Sequence, residues 1–145
     1  MTKAAHWKSE RGAELIEMAI ALPLLLLVVM GIVDFGFLFQ RYLVLTNAAM
    51  EGARVAVLPG YSSSDAQSRA TAYARAGGVP GTVSATASPV SLPGANGGSW
   101  PGVRVVVTYE YRYQYIGPIM SIFGPGSLGS VTLTAQSTVR RQLGS

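Results

Sequence analysis

Hydrophobic residues are concentrated near the N-terminus of this chain, where they form one long run. No charged residue occurs from Met18 to Val33, and apolar residues resume directly after Asp34. A run of this length reaches the roughly 20 residues that cross a bilayer as an α-helix. The residues from Gln40 to Val57 include no proline, and Pro59-Gly60 is a strong stop signal. The pattern therefore predicts one continuous helix of roughly 40 residues or more, half in lipid and half outside it.

Small residues recur along the second half of this predicted helix. Ala48, Gly52 and Ala56 are spaced four residues apart, so they form a flat strip onto which another element can pack closely. Farther along, Ser62 to Asp65 offer an N-cap, and the alanine-rich segment from Ala66 to Ala76 precedes a glycine pair. This segment predicts a second, short amphipathic helix.

The C-terminal half of the chain shows alternating patterns that indicate strands. Val103 to Tyr115 and Val131 to Val139 both alternate with a period of two, and Thr82 to Ser88 is predicted to be a short edge strand. The segment from Pro89 to Gly102 is rich in proline and glycine and predicts a loop. The segment from Ile116 to Ser130 is apolar but broken by proline and glycine, and its pattern favours either a loop that dips to the membrane or a contact with a partner. Alternate positions of the first strand carry tyrosines that are predicted to be core or half-core residues: Tyr109, Tyr111, Tyr113 and Tyr115.

Together these elements predict an α+β fold. A long N-terminal transmembrane helix continues into a small domain with a second short helix and an antiparallel sheet of two to four strands. The predicted division of the 145 residues is a polar and basic leader at 1–12, a transmembrane helix at 13–40 and an extracytoplasmic domain at 41–145.

Composition argues against catalysis. The chain has no cysteine and a single histidine, His6, which lies in the predicted leader. The rest of the chain therefore lacks a histidine base, a thiolate nucleophile and a histidine or cysteine metal cluster. Charged residues are 12% of the chain and the net charge is +4, with no concentrated basic stripe. We expect no enzymatic activity, no metal or other cofactor, no small-molecule substrate and no nucleic-acid partner.

One short motif joins the leader to the apolar run. The sequence RGAELIEM places Gly12 five residues before Glu17, at the head of the long helix. This arrangement resembles the processing site of type IV pilin-like proteins. The wider stretch RGAELIEMAIALPLLLLVVMGIVDFGFLFQRYLVLTNAAMEGARVAV is similar to the TadE-like family, in its Gly, Glu, Leu-Pro and Asp-Phe-Gly pattern before Asn-Ala and Glu-Gly-Ala-Arg.

The resemblance implies a minor pilin, or pseudopilin, of a Tad/Flp adhesion pilus. A prepilin peptidase would cut between Gly12 and Ala13, which makes Glu17 the fifth residue of the mature chain. A carboxylate just inside lipid is costly unless it is paired, and the free α-amino group of a neighbouring subunit would suit Glu17 as a partner. The implied partners are the peptidase, other pilins or pseudopilins, and the Tad assembly platform.

Two alternatives stay open in the sequence. Asp34 is predicted to lie near the outer leaflet, either as an interfacial residue paired with Arg41 or water, or as an assembly contact to a neighbouring subunit. The chain as a whole could instead be an uncleaved bitopic accessory protein of the assembly platform. An ordinary signal peptide is disfavoured by the length of the helix. The basic residues Lys3, Lys8 and Arg11 predict a single-pass protein of the inner membrane with a cytoplasmic N-terminus.

Overall fold

A computed structural model describes residues 6–94, 97–120 and 129–141. Its longest element is the helix α1, which runs without interruption over His6–Ala56. The single continuous helix predicted from the sequence is thereby confirmed, and it begins at His6, ahead of the predicted transmembrane start at residue 13. Residues 13–29 are exposed, whereas the C-terminal half of the helix carries the soluble domain.

The second helix, α2 (Ser63–Ala76), packs along the C-terminal half of α1. Its start is fixed by a capping box, in which the Ser62 hydroxyl accepts the Asp65 N–H and the Asp65 side chain accepts the Ser62 N–H. The Ser62 hydroxyl also donates to Asp65 Oδ2 at 2.6 Å, and this bond together with the one from the Ser62 N–H lowers the pKa of Asp65. The guanidinium of Arg69 on α2 pairs with Glu51 on α1 at 2.9 Å, so both an apolar seam and an exposed ion pair join the helices.

The predicted small-residue strip forms the seam between the two helices. Ala48, Gly52 and Ala56 are buried on α1, and they face a strip of alanines at the same spacing on α2. The buried alanines of α2 are Ala66, Ala70 and Ala74. A Cβ on Gly52 would lie only 2.9 Å from the carbonyl oxygen of Ala66. The close approach of the two helices therefore requires glycine at this position.

Three antiparallel strands form one sheet in the order β1-β2-β3: β1 is Val83–Pro93, β2 is Ser99–Arg112 and β3 is Ser130–Arg140. One face of the sheet covers α1 and α2. Alternate residues of the central strand supply its buried side chains, among them Val105 and Val107, and Leu133 of β3 joins them. The alternation predicted for β2 and β3 is therefore confirmed, and the fold is α+β as expected.

The prediction of a loop from Pro89 to Gly102 is wrong. The strands β1 and β2 pair continuously from Val83↔Tyr109 to Pro93↔Ser99, so most of this segment is strand. Proline is tolerated because β1 is an edge strand, where an N–H is needed on one side only. Near Pro101 the central strand has passed the end of β3, whose register stops at Gly102↔Arg140. Pro89 and Pro101 thus occupy places where the ladder needs no N–H donor on one side of the strand.

The central strand also ends earlier than predicted. β2 stops at Arg112, and the chain leaves the sheet to form the short helix α3 (Ile116–Met120) beside α1. Three of the four tyrosines at alternate positions are in or against the core, as predicted: Tyr109, Tyr111 and Tyr113. Tyr115 is 44% exposed, because it follows the chain out of the sheet. The predicted segment 116–130 lies partly outside the described residues.

Candidate functional site

The predicted processing residues occupy the exposed N-terminal part of α1. Gly12 is partly exposed, Ala13 and Glu17 are exposed, and all three have helical backbone. A Cβ at Gly12 would meet no atom within 4 Å. Within the described ranges, no ion pair or side-chain hydrogen bond involves Glu17, so its carboxylate is open to a partner from outside this part of the chain.

Asp34 is the most unusual polar residue of the described structure, because it is a charged side chain with 0% exposure. Its Oδ1 accepts the backbone N–H of Gln114 at 3.0 Å. Its Oδ2 accepts the N–H groups of Tyr115 at 3.0 Å and of Ile116 at 2.8 Å. These three groups belong to the turn that opens α3, and the carboxylate satisfies donors that the short helix itself cannot pair. Asp34 thus fastens the end of the sheet to α1.

Tyr111, near the end of the central strand β2, completes this junction. Its hydroxyl donates to the backbone carbonyl of Asp34 at 3.1 Å. Burial raises the pKa of Tyr111, and the neighbouring charge of Asp34 raises it further. The phenol therefore stays protonated at neutral pH and remains a donor. The ring of Tyr113 meets that of Tyr111 edge-on, with centroids 5.4 Å apart.

The predicted pairing of Asp34 with Arg41 is wrong. The Asp34 carboxylate binds backbone N–H groups of its own chain, while the Arg41 guanidinium donates to the carbonyl of Gly78 after α2. A contact of Asp34 with another subunit stays a prediction, although its two carboxylate oxygens are already engaged. Glu17 and Asp34 are not brought together, since they lie more than four turns apart on one continuous helix.

Sequence reasoning missed Tyr111 and the turn at Gln114 as the partners of Asp34. A lone acid in an apolar helix does signal that a buried partner must exist. The partner lies about 80 residues away along the chain, and no local pattern connects the two segments.

One face of α1 remains uncovered where the helix enters the soluble domain. Phe35 is 59% exposed, Phe39 54% and Leu43 57%, and the rings of the two phenylalanines touch with centroids 5.6 Å apart. At four-residue spacing these side chains share one side of the helix, away from the buried Asp34 and Leu45. We call Phe35, Phe39 and Leu43 the apolar stripe. It extends the exposed apolar surface of the helix into the half that carries the soluble domain.

A cavity of about 470 Å³ opens beside this junction, lined among others by Phe37, Arg41, Tyr109 and Tyr113. It has no cluster of acids or histidine that could hold a metal ion, and none is found elsewhere in the described part of the chain.

Comparison with known proteins identifies the region that carries these features. Residues 12–54 match the family model described as TadE-like protein, which confirms the resemblance seen in the sequence. No curated protein matches the chain. No solved structure matches it either. Among the described residues one helix is long and apolar enough to cross a membrane, and it includes the matched segment. Residues 12–54 are thus similar to TadE-like proteins, and the helix that contains them has the length and composition of a single membrane span.

Proposed function

We propose that this Tad-pilus-related membrane protein is a structural minor pilin, or pseudopilin, that a prepilin peptidase processes between Gly12 and Ala13. The observation that carries the proposal is the family match, which begins at Gly12 and ends at Arg54, just before the end of α1. The role is proposed to be assembly without catalysis. The proposed partners are the peptidase, other pilins or pseudopilins and the assembly platform, at the inner membrane and in the pilus.

The apolar stripe supports a role in assembly. Phe35, Phe39 and Leu43 each expose more than half of their surface, and the stripe crosses from the apolar run into the half of α1 that carries the soluble domain. Exposed apolar patches of this kind mark surfaces that bind other proteins or lipid. Because the stripe continues the face of a membrane helix, a helix of another subunit is the partner that fits it best.

The exposed Glu17 supports the same role. A carboxylate near the head of a lipid-embedded helix is stabilised by a cation, and the α-amino group released at Ala13 of another subunit would provide one after cleavage. Uncleaved chains have no such amino group at this position. Processing would therefore control when Glu17 acquires its partner.

The proposed cut falls within helical backbone, because α1 runs from His6 through Gly12 without a break. A peptidase that binds an extended chain would have to unwind the first turns of the helix. Glycine lowers the cost of that step, since it is among the poorest helix formers. Gly12 would then serve both local unwinding and recognition.

The test is the intact mass of the membrane-extracted protein, expressed with and without the peptidase, for the wild type and for Gly12→Ala. A Cβ at Gly12 meets nothing within 4 Å, so the variant leaves the fold of this chain intact. Gly36→Ala is the matched control, because Gly36 lies in the same helix with equally open surroundings. We expect loss of residues 1–12 from the wild type and Gly36→Ala only when the peptidase is present, and no loss from Gly12→Ala.

The alternative function is an uncleaved bitopic accessory protein of the assembly platform. The continuity of α1 through Gly12 favours this alternative, because the Gly12–Ala13 peptide bond lies within a helix and not in an extended segment. A full-length mass in every strain would reject the pilin proposal and support this alternative.

A further inference from the structure

The short helix α3 lies against the membrane-spanning part of α1. The Cδ1 atom of Ile116 comes within 3.2 Å of the position that a Cβ on Gly31 would occupy. Gly31 precedes Asp34 by about one helical turn, on the side that leads into the apolar run. Ile116 is therefore seated below Asp34, beside residues that have the composition of a bilayer span.

Distances along α1 place this contact at the depth of the lipid. The charge-free run from Met18 to Val33 is about 24 Å long, whereas a hydrocarbon core is about 30 Å thick. If Glu17 lies at one boundary of the core, the other boundary falls beyond Asp34. An aspartate at such a depth is tolerated only when its oxygens are bonded, and three backbone N–H groups bond those of Asp34.

The chemistry of α3 fits the same environment. Its sequence, Ile-Gly-Pro-Ile-Met, has no charged side chain and no hydrogen-bonding side chain. The N–H groups of Tyr115 and Ile116 in the turn that opens it are bonded to Asp34, and Pro118 has no N–H, so fewer backbone donors are left to meet lipid. Tyr115, at its head, is 44% exposed and is of the residue type favoured at membrane-water boundaries.

We propose that Tyr115 and α3 insert into the membrane interface beside α1 and form a second lipid contact of the chain. The ligand is the bilayer itself, at the boundary between head groups and acyl chains. Continuity with the exposed surface of α1 supports lipid as the occupant, because Ile32 and Phe35 next to Asp34 are 67% and 59% exposed. This inference depends on α1 spanning the membrane and is independent of cleavage and of any role in a pilus.

The insertion would fix how the soluble domain sits on the membrane. With only α1 as an anchor, the domain could stand away from the surface or tilt freely about the helix. With Asp34 joining α3 to α1 and α3 resting in lipid, the end of the central strand is held at the interface. The β1–β2 hairpin then points away from the membrane, since β2 runs from Ser99 at the hairpin to Arg112 near α3.

The absence of cysteine from the sequence allows a clean test by single-site labelling. The full chain is reconstituted in phosphatidylcholine vesicles as Ile119→Cys, and separately as Tyr115→Cys, each carrying an environment-sensitive fluorophore. Lipids with a spin label at a shallow acyl position serve as the quencher. Thr134→Cys, on the exposed face of β3, is the control for water, and Ile20→Cys, which is 70% exposed in the apolar run, is the control for lipid.

We expect blue-shifted emission and strong quenching at positions 119 and 115, near the level of position 20, with red emission and no quenching at position 134. Emission at 119 and 115 that matches position 134 would overturn the proposal. Blue-shifted emission without lipid quenching would also overturn it, and would indicate that a second copy covers α3. Tyr115→Cys keeps the test decisive if the label at 119 disturbs packing, and circular dichroism establishes that each labelled protein is folded.

Discussion

At the scale of single residues, the hydrogen bonds that the Asp34 side chain accepts offset the cost of its burial. Burying an unpaired carboxylate costs several kcal/mol. Each hydrogen bond from a neutral donor to a charged group contributes about 1.5–3 kcal/mol, and Asp34 accepts three of them at 2.8 to 3.0 Å. The bonds are therefore sufficient to offset the burial. They also explain why β2 ends at Arg112, since Gln114 and Tyr115 give their N–H groups to Asp34 and not to a neighbouring strand.

We predict that Asp34→Asn destabilises the soluble domain by about 2–4 kcal/mol. An amide keeps one acceptor oxygen, but its NH₂ group would replace an oxygen that meets N–H donors, and two donors would then face each other. Oδ2, which accepts from both Tyr115 and Ile116, is the more costly oxygen to lose. The measurement is urea unfolding in detergent micelles, followed by far-ultraviolet circular dichroism.

Tyr111→Phe is the matched control for this junction. It removes one neutral hydroxyl that donates to the Asp34 carbonyl and leaves the carboxylate bonds in place, so we expect a loss of about 1 kcal/mol. If Asp34→Asn proved no more destabilising than Tyr111→Phe, the carboxylate would not be what holds the sheet to α1.

At the scale of elements, periodicity in the sequence predicted those helices and strands that a local pattern defines. The charge-free run predicted α1, and the alternation of Val103 to Tyr115 predicted β2, which ends at Arg112. The predicted edge strand from Thr82 to Ser88 lies within β1, but its continuation to Pro93 was missed because the prolines there suggest a loop. The junction at Asp34 was missed because it joins two segments about 80 residues apart. Neither segment contains a local pattern that indicates its contact with the other.

The seam between α1 and α2 gives an element-scale prediction. In Gly52→Ala the new Cβ would lie 2.9 Å from both the Ala66 carbonyl oxygen and the Ala70 Cβ. Such overpacking costs about 1–3 kcal/mol, and better helix propensity returns up to about 1 kcal/mol. We therefore expect a net loss of stability, measured as a lower Tm of the soluble domain.

Gly36→Ala separates the two contributions, because it gains the same helix propensity with no atom within 4 Å of the new Cβ. We expect its Tm to be unchanged or raised. A lower Tm in Gly36→Ala, or an unchanged one in Gly52→Ala, would contradict the view that close packing of the small-residue strip limits the distance between the helices.

At the scale of the whole molecule, α1 is both the membrane anchor and the support of the soluble domain. Its 51 residues extend for about 75 Å, and the sheet and α2 cover only the C-terminal part. The two ends of the chain therefore face different environments. Lys3, Lys8 and Arg11 precede the apolar run, and this bias favours a cytoplasmic N-terminus with the soluble domain on the other side of the membrane.

This orientation predicts which positions a membrane-impermeant maleimide can reach in intact cells whose outer membrane has been permeabilised. Single cysteines are introduced as Thr134→Cys on the exposed face of β3 and as Ser9→Cys before the apolar run. Both are placed in the Gly12→Ala background, so that the N-terminal residues stay attached. We expect Thr134→Cys to react in intact cells and Ser9→Cys to react only after the inner membrane is lysed. The reverse pattern would place the soluble domain in the cytoplasm, where it could not join a pilus, and would reject the proposed function whatever the outcome of the cleavage test.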